Sequence, residues 1–113
     1  MHYQQAISLM RELKHLDARQ LALQAHYLSQ LGLQKEAVET MAKAIKQNAE
    51  SAEVWLLDAL LQTKLGQHQT ALNSATRAVQ FGYPVKLLAV DPDLQPLASD
   101  RSFLALLQHN MEK

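Results

Sequence analysis

The feature that most constrains this chain is a segment that occurs twice. Moved forward by 34 positions, Ala18-Arg19-Gln20-Leu21 lands without a gap on Ala52-Glu53-Val54-Trp55. Under that single offset Ala25 falls on Ala59, Leu31-Gly32 on Leu65-Gly66, Ala37 on Ala71 and Ala44 on Ala78. Small residues recur while large ones vary. A fixed period of this kind describes one supersecondary unit that buries its apolar face only by stacking on its neighbours. Hydrophobic residues make up 48% of the chain but aromatic ones only 5%, so the interior is expected to be aliphatic and closely approached.

Each period reads as two helices. Asp17 before Ala18-Arg19-Gln20 makes a capping box, because the carboxylate accepts from the third helical N–H while Gln20 reaches back. That helix is expected to run to about Leu31 and to end at Gly32, the usual residue for a left-handed turn. A second helix follows from about Gln34 to Gln47, with Ala37, Val38, Met41, Ala44 and Ile45 inward. In the next unit Ser51 is the cap, Glu53 suits the positive end of the helix dipole, and Gly66 closes the helix. Its partner spans about His68 to Phe81, with Ala71, Leu72, Ala75, Ala78 and Val79 buried. Helices approach to about 8–10 Å where the crossing side chains are small; Ala25 with Ala37, and Ala59 with Ala71, are assigned to those crossings. Ala44 and Ala78 are assigned to the contact with the next unit, and Trp55 to the wedge at the unit boundary.

The flanks do not keep the period. Tyr3, Ala6, Ile7, Met10, Leu13 and Leu16 are spaced three and four apart, which predicts a one-sided helix over 3–16. It is read as the second helix of a preceding, incomplete unit, whose first helix is expected upstream in a longer protein. Gly82-Tyr83-Pro84 breaks the fourth helix, and Val85 to Val90 predicts a short one. Asp91-Pro92 reads as a cap with a first-turn proline, Leu94 and Leu97 lie on a further short turn, and a last helix follows Asp100 with Phe103, Leu106 and Leu107 at helical spacing.

The residues Trp55, Ala25 and Ala59, Gly32 and Gly66, Ala37 and Ala71, Ala44 and Ala78 stand at positions 4, 8, 15, 20 and 27 of a unit and resemble the tetratricopeptide family. The resemblance covers Ala18 to about Tyr83. It departs at position 7 (Gln24, Asp58), position 11 (Leu28, Gln62) and position 32 (Ala49, Tyr83). The string from Asp91 to Leu107 is similar to the closing segment of bacterial tetratricopeptide arrays fused behind regulator, kinase or cyclase domains. The resemblance implies an all-α fold, a right-handed helical solenoid of antiparallel helix pairs. Its parts would be a partial unit over 3–16, units over 18–51 and 52–83, and a capping segment over 84–113 with a polar outer face. It also implies a non-enzymatic module that binds a peptide or helix of a partner protein, within a larger bacterial regulatory or assembly protein. Self-association, or a sensor domain fused to a transcriptional regulator, is the alternative. Cytoplasm and periplasm both stay open.

Several classes of function are disfavoured by the residues themselves. Eleven Lys and Arg balance eleven Asp and Glu, which leaves no basic footprint for a nucleic-acid backbone. No apolar run reaches the roughly 20 residues of a membrane span, and there is no Cys for a disulfide or thiolate site. His2, His15, His26, His68 and His109 are scattered without the i, i+4 pairing of a zinc helix. The glycines sit at helix ends rather than in a phosphate loop, and Asp91 and Asp93 read as capping residues. No catalytic residue, metal or cofactor is expected.

The family's register implies where a partner would lie. The groove is lined by the first helix of each unit, at Arg19, Ala22, His26, Ser29 and Gln30, then Glu53, Leu56, Leu60, Thr63 and Lys64. Leu56 and Leu60 stand one turn apart, as anchors for an apolar peptide do, unless the C-terminal segment or a second copy covers them. The carboxylate clamp of chaperone-tail binders wants Lys and Asn where this chain has Ala22, His26 and Leu60, so that mode is not expected. Gln24 and Asp58, at matching and normally apolar positions, are expected to bond to each other or to Gln62.

Overall fold

A computed structural model describes residues 17–97 and 100–111, and the helix expected over 3–16 lies outside them. The described residues are helical throughout and contain no strand. We label the helices α1 (Ala18–Gln30), α2 (Gln34–Gln47), α3 (Ala52–Lys64), α4 (His68–Gln80), α5 (Val85–Val90) and α6 (Arg101–Met111), with a 3-10 helix over Pro92–Leu97 between the last two.

Local chemistry sets the ends of these elements. The Asp17 carboxylate accepts from the Gln20 N–H at 2.8 Å while the Gln20 side chain accepts from the Asp17 N–H at 2.9 Å, completing the capping box. Ser51 Oγ accepts from the Val54 N–H at the start of α3. After α1 the Gly32 N–H donates to the Ser29 carbonyl and the Leu33 N–H to the Leu28 carbonyl; Gly66 and Gln67 repeat both bonds after α3. This double closure requires a left-handed residue, and Gly32 and Gly66 stand at φ +82° and +78°. The two turns are equivalent, and so the two helix pairs are built alike.

α1 packs against α2 and α3 against α4, and α1 also packs on α3. Ala25, Ala37, Ala59 and Ala71 are fully buried, as the close crossings demand. Two apolar clusters result. The first joins Ala18, Ala22, Ala25, Leu28, Ala37, Met41 and Ala44 to Val54 and Leu61 of α3. The second joins Ala59, Ala71, Leu72 and Ala75 to Leu88, Leu94, Leu97 and Phe103 of the C-terminal segment. α3 therefore faces a core on both sides, which is why its apolar residues do not keep to one stripe.

Two features differ from the sequence reading. Val38, expected inward, is 41% exposed, whereas Leu72 at the same place in the second pair is 7% exposed because the C-terminal segment packs over it. The outer side of that segment is also less polar than a solenoid end is expected to be. Leu87, Val90 and Leu104 are 50%, 71% and 49% exposed.

Candidate functional site

The end of α1, the end of α3 and the 3-10 helix line an open cavity of about 320 Å³. From α1 come His26, Ser29 and Gln30, from α3 Leu60, Leu61, Thr63 and Lys64, and from the 3-10 helix Pro92, Asp93 and Pro96. Helical spacing brings them together, since 26, 29 and 30, like 60, 63 and 64, recur at three and four positions on one face of each helix.

The polar groups divide into those already engaged and those facing the cavity. Ser29 and Thr63 are buried, and their hydroxyls donate within the fold, Ser29 to Gln34 Oε1 at 3.2 Å and Thr63 to the Ala59 carbonyl at 2.8 Å. Lys64 Nζ donates to the Ser29 carbonyl at 2.8 Å, tying the end of α3 to the end of α1. A cation there also complements the negative end of the α1 dipole. His26 stands with Nε2 at 3.5 Å from Gln30 Nε2. Burial lowers the His26 pKa below its ordinary value; nearby Asp93 opposes the shift and Lys64 adds to it.

Of the expected groove residues, His26, Ser29, Gln30, Leu60, Thr63 and Lys64 thus meet around one cavity. Arg19 and Glu53 do not line it. They form an exposed ion pair at 2.6 Å that links the starts of α1 and α3. Ala22 is fully buried in the first cluster. Leu56 and Leu60 are half-buried and pack against the second cluster, alongside Leu94 and Leu97.

The sequence reading missed the wall made by Pro92, Asp93 and Pro96. A signal was present: with Leu94 and Leu97 buried as a pair, the residues just before each fall together on another side of the turn. Of the partners of Asp58, it named Gln62, which the structure shows, but missed Ser74. That carboxylate is buried, and it accepts from the Ser74 hydroxyl on α4 and from Gln62 Nε2 at 3.2 Å. The matching first-pair positions, Gln24 and Thr40, are polar as well and line a shallow cavity of about 440 Å³. Trp55, at the boundary between pairs, donates from Nε1 to the Ala49 carbonyl at 2.7 Å, and the Arg77 guanidinium lies 5.1 Å from its ring centre.

No family model, curated protein or solved structure matches the chain. Among the described residues no three metal-ligating side chains gather, and no helix is long and apolar enough to cross a membrane.

Proposed function

We propose that this chain is a non-enzymatic interaction module of tetratricopeptide type, a solenoid of helix pairs that takes up a peptide segment of a partner protein along its first helices. The observation that carries this reading is the convergence of His26, Gln30, Leu60 and Lys64, from two helices related by the 34-residue offset, on one open cavity. Such a cavity offers donors, an acceptor and apolar walls in the mixture that peptide grooves use. In this reading the module belongs to a larger bacterial regulatory or assembly protein.

Peptides panned from a random library on the whole chain test this proposal. They are expected to lose at least ten-fold in affinity for a Gln30→Glu, Lys64→Glu variant whose helical circular dichroism is unchanged. Equal affinity for both proteins contradicts the site.

Self-association is a second reading, and the exposed Leu87, Val90 and Leu104 favour it. Light scattering is then expected to show mass rising with concentration. A strictly monomeric chain contradicts this.

A further inference from the structure

Part of the groove carries an occupant of its own. The 3-10 helix Pro92–Leu97 lies along α3 and puts Leu94 and Leu97, three positions apart and each 1% exposed, into the cluster that Leu56 and Leu60 flank. Its Pro92, Asp93 and Pro96 face the cavity shared with His26 and Lys64. The segment starts from its own cap, with the Asp93 N–H donating to Asp91 Oδ1 at 2.9 Å and the Leu94 N–H to the Asp91 carbonyl at 3.1 Å. Two leucine side chains seat it, in a cluster with Ala59 of α3, Ala71, Leu72 and Ala75 of α4, Leu88 and Phe103, much as leucines anchor a short peptide in a groove. Its acidic residue shares the cavity with the Lys64 ammonium, and opposite charges so placed favour this register.

We propose that Pro92–Leu97 is a built-in ligand, and that the groove takes a partner peptide of the same chemistry: two leucines three apart, an acidic residue before the first and prolines around them. This rests on the groove reading above and deepens it. The tether keeps the segment at high effective concentration, so the intact chain holds the leucine subsites closed. A partner segment enters them by displacing Leu94 and Leu97.

The test uses a fluorescein-labelled peptide of the chain's own residues 90–98, titrated by anisotropy against the whole chain and a Leu94→Ser, Leu97→Ser variant. Saturable binding to the variant, at least ten-fold tighter than to the wild type, is expected, and a peptide with both leucines replaced by serine should not bind. If the double variant loses its helical signal, Leu94→Ala takes its place with the same readings. No binding to a folded variant, or equal binding to variant and wild type, overturns the proposal. A folded variant that still takes up the panned peptides but not this one refutes the built-in ligand and leaves the groove assignment standing.

Discussion

His26 is where the electrostatics of the cavity meet. It sits on α1 with Gln30 beside it, Lys64 on α3 and Asp93 on the 3-10 helix, and burial holds its pKa below the ordinary value. In the unfolded chain the imidazole titrates near its reference value of about 6.5. Between the two values the unfolded state binds more protons, so stability rises with pH there. The penalty is absent above that range and grows as pH falls through it. Urea midpoints at pH 8 and pH 5.5 should therefore fall further for wild type than for His26→Gln; an equal fall in both counts against the burial of His26. At this scale the sequence was informative, because the family register laid over the 34-residue repeat put His26, Gln30 and Lys64 on one expected face. It was silent on Asp93, whose place depends on how Leu94 and Leu97 seat against α3.

Among the elements, the pairing of α3 with α4 depends on a polar contact as well as on alanine crossings. A buried carboxylate without a partner costs several kcal/mol in practice, and Asp58 is tolerated because Ser74 from α4 and Gln62 from its own helix reach it. Ser74→Ala removes the bond between the two helices and should cost about 1–3 kcal/mol, read from urea unfolding. A cost indistinguishable from zero would mean that Gln62 suffices. The four long helices were legible in the sequence because capping, the glycine turns and the alanine spacing all agree and are stated twice. Ser74 was not, since a serine among Asn73, Ala75 and Thr76 carries no periodic signal; only the recurrence of polar residues at 24 with 40, and at 58 with 74, hints at the pair. Val38 was misplaced for a related reason. Its helical position matches that of Leu72, and only the C-terminal segment makes the two environments differ.

At the scale of the whole molecule, the described residues form two similar helix pairs whose shared wall, α3, meets a core on each side, with the C-terminal segment folded back onto that wall. Among the described residues, this arrangement leaves the proposed groove open at the ends of α1 and α3. It turns Leu56 and Leu60 from free anchors into residues that the chain itself engages. The most direct measurement is an amide chemical-shift map of the whole chain titrated with a panned peptide. Shifts should concentrate at His26, Gln30, Leu60, Lys64 and Asp93, with the amides of Leu94 and Leu97 moving as the segment is displaced. Shifts confined to the exposed faces of α2 and α4, around Lys43 and Arg77, would contradict binding through the first helices.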